Sequence, residues 1–248
     1  MLVAYDKPRL VVESKLDYRS LMGRPLRPAT EGEVTAKVEQ LSFYLRGLLD
    51  GFPRGGAVDL GCGTGTVLGA LERLGFSPLH GCEIDEKQAQ LLDAIETLTV
   101  KMQSAPKFLE SFDEGSLSWI SAFDVLEHMG SEDVVSVLRL AHSRLRTEGV
   151  LVIQVPNAGS PFFGSVQYGD PTHQTVFARG ALEALLRDAG FESITVRETG
   201  PVPKGFLGTV RTGLWHGAKS LFSALNAVET GVLKAGPWSR VMIAVARR

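Results

Sequence analysis

Apolar residues recur along this chain in two alternating periods, one near 3.6 and one in short continuous runs, and that alternation predicts its elements. Thr30 and Glu33 stand at capping-box spacing. Behind them Val34, Val38, Leu41, Leu45 and Leu48 recur at helical intervals until Gly51 and Pro53 end the pattern. The run AVDL at 57–60 reads as a strand, followed by a helix from Thr66 to about Leu74, the strand LHGCEI and a helix from about Glu86 to Leu98. A weaker strand near Val100 to Gln103, a stronger one at Trp119 to Phe123, a helix from Glu132 to Arg146 and the apolar run VLVIQV at 150–155 continue the series. Strands and helices in this order build a parallel sheet with helices on both faces, so the fold class is α/β.

Beyond Pro156 the pattern gives way to a loop rich in glycine and proline, a helix over Arg179 to Ala189 closed by Gly190, and the strand FESITVRE. The final strand is RVMIAVA at 240–246. Between these two strands, Leu207, Val210, Leu214, Ala218, Leu221, Leu225 and Val228 keep helical spacing, which predicts a helical cap. Residues 1–29 carry Pro8, Pro25 and Pro28 and read as an arm or lid. The expected organisation is therefore an arm over 1–29, a main domain over 30–199, a helical insertion over 200–238 and a last sheet strand over 239–248.

Composition narrows the function classes. The 248 residues hold 26 basic and 28 acidic side chains, a net charge of -2, so no chain-wide positive field points to nucleic acid. Cys62 and Cys82 suit neither a disulfide framework nor a zinc cluster, which fits a reducing cytoplasm. No stretch approaches the roughly 20 apolar residues that span a bilayer. Phe206, Trp215, Phe222 and the aliphatic row, with Lys204, Arg211 and Lys219 nearby, leave contact with a membrane surface or a lipid-linked substrate open over 205–228.

The first chemical signal is Asp59-Leu60-Gly61-Cys62-Gly63-Thr64-Gly65, which follows an apolar strand and precedes a helix. Glycines at alternate positions let backbone amides approach a ligand. A dinucleotide site would need G-x-G-x-x-G, but the third glycine falls on Thr66 counting from Gly61 and on Leu68 counting from Gly63. No Gly-Lys-Ser/Thr follows, so a P-loop also fails. The next strand ends in Glu83, at the separation where a Rossmann-type unit sets a ribose-binding carboxylate.

On these residues the chain resembles the class I S-adenosylmethionine-dependent methyltransferases. The resemblance implies a Rossmann-like fold with a mainly parallel seven-stranded sheet. It implies that Asp59, Gly61, Gly63 and Gly65 line the methionine side of S-adenosylmethionine and that Glu83 holds the ribose. Cys62, Ile84 and Asp124 complete the expected cofactor set, with Ser104 and Ala105 at the adenine. There the family commonly carries an aspartate, and this chain departs from it.

The fourth strand runs into Phe123-Asp124-Val125-Leu126-Glu127-His128, and the fifth ends at Val155-Pro156-Asn157. Together with His173 in YGDPTH, this is similar to the O-methyltransferase branch acting on quinones, sugars and other small molecules. Ligands of open α/β sheets sit beyond the carboxyl ends of the strands, so Asp124, Glu127, His128, Asn157 and His173 are expected around the transferable methyl group. Removing an acceptor's hydroxyl proton suits a histidine, His128 or His173, with Glu127 orienting the imidazole or the acceptor. Asp124, Glu127, His128 and His173 are also a plausible set for a divalent cation such as Mg2+. The expected activity is methyl transfer to a hydroxyl of a small molecule or glycan. The alternatives are an RNA 2′-O-methyltransferase, to which the missing basic excess is opposed, and a non-catalytic cofactor-binding or interaction protein.

Overall fold

A computed structural model describes residues 38–39, 41–42, 45, 54–85, 98–233 and 236–248. The predicted arm over 1–29, the Thr30 cap with Val34 and Leu48 of the first predicted helix, and residues 86–97 of the third lie outside the described residues. Seven strands form one sheet: β1 Ala57–Leu60, β2 Leu79–Glu83, β3 Leu98–Met102, β4 Leu117–Phe123, β5 Leu145–Pro156, β6 Ser193–Glu198 and β7 Val241–Arg247. Their order is β3-β2-β1-β4-β5-β7-β6, with β7 antiparallel to both β5 and β6 and every other pairing parallel. The α/β class and the mainly parallel seven-stranded sheet expected from the sequence are those found.

Alternation along the strands divides the core into two layers. Val58, Leu60, Ile120, Ala122, Leu151 and Ile153 face one side, against helices α2 Ala105–Glu110, α3 Ser131–Arg144 and α5 Arg179–Asp188. Ala57, Trp119, Val150, Val152, Ile243 and Val245 face the other, against α1 Thr66–Arg73 and against Val38 and Leu45, which lie in helical segments. Trp119, Phe108 and Leu68 are sealed from solvent, and burial of a large apolar side chain contributes about 2–3 kcal/mol. The short helices α2 and α4 Phe163–Gln167 fall in stretches whose periodicity predicts neither, because so few residues hold less than two full turns.

The insertion between β6 and β7 is one helix, α6 Gly205–Thr230, which continues through Gly208, Gly213 and Gly217. Its phase differs from what the aliphatic row suggests. No residue of α6 is buried, and Leu207, Val210, Leu214, Leu221, Leu225 and Val228 are all exposed. The side turned to the body carries aromatic and polar anchors instead. The Phe222 ring centroid lies 6.0 Å from that of Phe162 and 5.8 Å from that of Trp238. Lys219 pairs with Glu198 of β6, and Thr212 Oγ1 donates to the Pro201 carbonyl at 3.2 Å.

Candidate functional site

The glycine loop between β1 and α1 takes the left-handed conformations that its residue types permit, with φ of 63° at Gly61, 52° at Gly63 and 73° at Gly65. At Gly61 space matters as well, since a Cβ there would stand 2.5 Å from Val125 Cγ2. The loop is tied to the end of β2: Gly63 N donates to Glu83 Oε2 at 2.9 Å, and Ile84 N and Asp85 N donate to Oε1 at 2.7 and 3.0 Å. Among the described residues three of the four lone-pair positions of this carboxylate are thus filled, and one on Oε2 remains for a ligand hydroxyl.

Beside it lies a cavity of about 230 Å3. Of the predicted cofactor residues, Gly61, Glu83, Ile84, Ser104 and Ala105 line it. Gln103, Val125, Met129 and Asp133 line it too, and sequence reasoning missed them. Only Gln103 was findable, as the neighbour of Ser104 at a strand end; the others come from the turn after β4 and the first turn of α3. Asp133 puts a carboxylate on the wall of a cavity whose β3 end carries Ser104 in place of an acid. The remaining members of the predicted set, Asp59, Cys62, Gly63, Gly65 and Asp124, are not among the lining residues.

Asp59 lies in β1 beneath the loop, 1% exposed, with Ser121 Oγ of β4 donating to its Oδ1 at 2.6 Å. Burial pushes its carboxyl up to about 7, the Ser121 bond opposes the shift and the Glu83 charge adds to it. Cys62 and Cys82 are buried, and that burial holds both thiols far above the usual range, so neither is a nucleophile. Cys62 enters the loop through its backbone, donating from N to the Cys82 carbonyl at 2.9 Å.

The second half of the site is the turn after β4. Asp124 adopts φ 55°, rare for a residue with a side chain, and both its oxygens accept from Gln154 Nε2, at 3.1 and 2.9 Å. Glu127 and His128 sit in a single 3-10 turn, Leu126–His128. The loop before α5 is zipped onto that turn. Gln174 N and Thr175 N both donate to the Glu127 carbonyl, and Gln174 Nε2 donates to the His128 carbonyl at 2.7 Å. These bonds bring His173 against His128, with ring centroids 4.7 Å apart and an interplanar angle of 65°.

One ligand atom each from Glu127, His128 and His173 lies within 4.8 Å of the others. Asp124 stands outside this group, so the expected four-residue cation set is reduced to three. Glu127 is 1% exposed, and its Oε2 finds no hydrogen-bond partner among the described residues. Burial pushes its carboxyl up to about 8, with Asp124 and Asp170 adding to the shift. Burial and the neighbouring His173 lower the His128 pKa from its ordinary value.

Two expectations need correction. Asn157 does not reach the methyl region: it is 1% exposed, Nδ2 donates to the carbonyls of Pro237 and Ser239 at 3.0 and 2.9 Å, and Oδ1 accepts from Gly159 N at 2.9 Å. It clamps the end of β5 to the segment entering β7. Nor does Glu127 hold an imidazole; the partner of His128 Nδ1 is Thr172 Oγ1, at 2.8 Å.

The left-handed glycines, the Glu83 carboxylate with one free lone pair and the cavity running from β2 to β3 fit a nucleoside with a charged tail over the loop, as in S-adenosylmethionine. Comparison with known proteins agrees. A family profile described as methyltransferase domain matches residues 32–196. No curated protein matches. Among solved structures, an S-adenosylmethionine-dependent methyltransferase from Archaeoglobus fulgidus is similar at 21% identity and TM-score 0.64, over 85% of this chain and 94% of that one. A chain from the complex of the Haloferax volcanii Trm112 methyltransferase activator with a methyltransferase is 14% identical, with TM-score 0.62 over 93% and 97%. Phosphoethanolamine N-methyltransferase 2 from Haemonchus contortus, in complex with S-adenosylmethionine, is 14% identical with TM-score 0.59, over 94% of this chain and 60% of that one. The profile match over two thirds of the sequence, on a glycine loop and sheet built in this way, means that the chain belongs to the methyltransferase-domain family, as a class I S-adenosylmethionine-dependent methyltransferase.

Proposed function

We propose that the protein transfers a methyl group to a hydroxyl oxygen of a small-molecule or glycan acceptor, with an imidazole of the His128–His173 pair taking the hydroxyl proton. When bound, S-adenosylmethionine supplies a methyl carbon activated by its sulfonium. The chain's own part is to hold the ribose at Glu83, to seat the adenine between Ser104 and Met129 and to bring a base to the acceptor. The observation that carries the reading is the imidazole pair, ring centroids 4.7 Å apart, with His128 on the turn whose Val125 and Met129 line the cavity and His173 docked against it. An imidazole with a lowered pKa is unprotonated at neutral pH and ready to accept.

An acceptor screen with methyl-labelled cofactor tests this. His128→Ala and His173→Ala should each lower turnover of the acceptor found, by about 100-fold for the true base, with cofactor affinity nearly intact. Unchanged turnover in both variants removes them as bases.

One observation favours a second reading. An unpaired Oε2 on a carboxylate that is 1% exposed is costly, and a divalent cation held by Glu127, His128 and His173 would compensate it. This reading is a rival to the imidazole base, because His128 and His173 would then be ligands and the cation would hold hydroxyl oxygens of the acceptor. Activity that survives a chelator refutes it. The row of exposed aliphatic side chains on α6 supports contact with a lipid surface or the lipid part of an acceptor.

A further inference from the structure

A hydroxyl has one proton to give, and the hydroxyl of Thr172 stands between two candidates for it. Its Oγ1 lies 2.5 Å from Asp170 Oδ1 and 2.8 Å from His128 Nδ1. A carboxylate only accepts, so the shorter contact is a hydrogen bond only if the threonine proton points at Asp170. The Oγ1 lone pairs then face His128, and Nδ1 must carry the hydrogen of that second bond. We infer that Asp170 and Thr172 are positioning residues which hold His128 as the Nδ1–H tautomer and thereby present its Nε2 lone pair to the acceptor.

The rest of the local geometry supports such a relay. Asp170 is oriented independently, because Thr172 N also donates to its Oδ1, at 2.8 Å. Its other oxygen, Oδ2, stands 3.9 Å from His173 Nε2, so one carboxylate faces both imidazoles. The loop holding Asp170 and Thr172 is fixed on the 127–129 turn by Gln174 and by Thr175 Oγ1, which donates to the Met129 carbonyl at 2.6 Å. The Thr172 backbone also accepts from the His128 ring, so the hydroxyl and the backbone of one residue act together on the imidazole.

The inference rests on the hydroxyl-acceptor reading for its use. As the acceptor oxygen bonds to the methyl carbon, the carbon–sulfur bond breaks and leaves its electron pair on a neutral thioether. The oxygen keeps the electron pair of its O–H bond, and the proton passes to His128 Nε2. The opposite tautomer would present an N–H at that point and could take no proton.

The tautomer is measurable without an acceptor. Long-range 15N–1H spectra of the full chain, labelled at histidine and saturated with S-adenosylhomocysteine, separate a protonated ring nitrogen from a bare one. The wild-type protein should show Nδ1–H at His128. In Asp170→Ala the threonine hydroxyl is free to turn and donate to Nδ1, so the signals should switch to the Nε2–H pattern. Thr172→Ser should keep the wild-type pattern, and Thr172→Val should lose it, both with unchanged affinity for S-adenosylhomocysteine. In turnover, Thr172→Val should lower kcat by at least about tenfold at constant KM, with Thr172→Ser restoring it. A wild-type Nε2–H imidazole, or a pattern that Asp170→Ala and Thr172→Val both leave unchanged, overturns the relay. An Nδ1–H imidazole in a protein whose His128→Ala variant turns over normally upholds the tautomer and sinks the hydroxyl-acceptor reading instead.

Discussion

Asp59 is a carboxyl that the fold buries under the cofactor loop with one neutral hydrogen-bond donor, and Asp59→Asn measures what that costs. Its pKa is raised from 3.8 to about 7. A raised acid pKa means that the folded state holds the proton more tightly than the unfolded state. The associated stability is complete below about pH 4, declines as pH rises toward about 7, and is gone above it. A gap of about three units corresponds to about 4 kcal/mol, and relaxation of the ionised protein brings the working figure to about 2–3 kcal/mol. Asparagine has the same shape, cannot ionise, and its Oδ1 can still accept from Ser121 Oγ; its added N–H group lacks a partner and costs about 1 kcal/mol. In the cofactor-free protein the variant should therefore be less stable than wild type at pH 4.5 by about 1 kcal/mol. At pH 8.5 it should be more stable by about 1–2 kcal/mol. Urea denaturation of both proteins at the two pH values reads the difference, and the raised pKa of Glu127 is common to both and cancels. A difference that stays constant to within about 0.5 kcal/mol between those pH values would refute the argument. The resemblance assigns Asp59 to the methionine end of the cofactor, so calorimetry should find weaker S-adenosylmethionine binding in the more stable variant.

Three further outcomes follow from the geometry. Gly61→Ala forces a Cβ to within 2.5 Å of Val125 Cγ2 at a φ of 63°, so it should cost about 2 kcal/mol and weaken cofactor binding at least tenfold. Adding Val125→Ala should recover part of both losses in a double-mutant cycle, and simple additivity would argue against the clash. Asn157→Ala removes two buried hydrogen bonds and one part-buried one and should destabilise by about 2–3 kcal/mol without changing the KM for cofactor; a pure loss of turnover would return Asn157 to the reaction centre. Leu214→Glu with Leu221→Glu on the exposed face of α6 should leave the denaturation midpoint within about 0.5 kcal/mol of wild type while abolishing partition onto anionic vesicles, and unchanged partition refutes the lipid contact.

Much of the fold and half of the site were legible in the order of residues. The strands at 57–60 and 79–83 and the helix after Thr66 announce themselves because strand runs and helical spacing are local properties. The loop glycines were readable for the same reason, since φ values of 52° to 73° cost glycine least of all residue types. Glu83 followed from its distance along one β-α-β unit. The reaction side was legible only as a set of residue types. Nothing local says that the Gln174 and Thr175 amides dock on the Glu127 carbonyl, yet that docking makes a pair of His128 and His173 and sets Thr172, not Glu127, against His128 Nδ1. Asn157 fell to a buried clamp because its partners, Pro237 and Ser239, come from 80 and 82 residues away.

The sequence by itself determined the alternation of strands and helices, the glycine loop with its acidic strand end and, through them, the family. Only the tertiary structure decided the strand order with an antiparallel β7, the Asp170–Thr172–His128 chain and the outward phase of α6. The physical reason is the same in each case. Periodicity says which residues share a face but not what that face meets, and on α6 the Lys219–Glu198 pair and the Phe222 contacts turn the aliphatic row toward solvent.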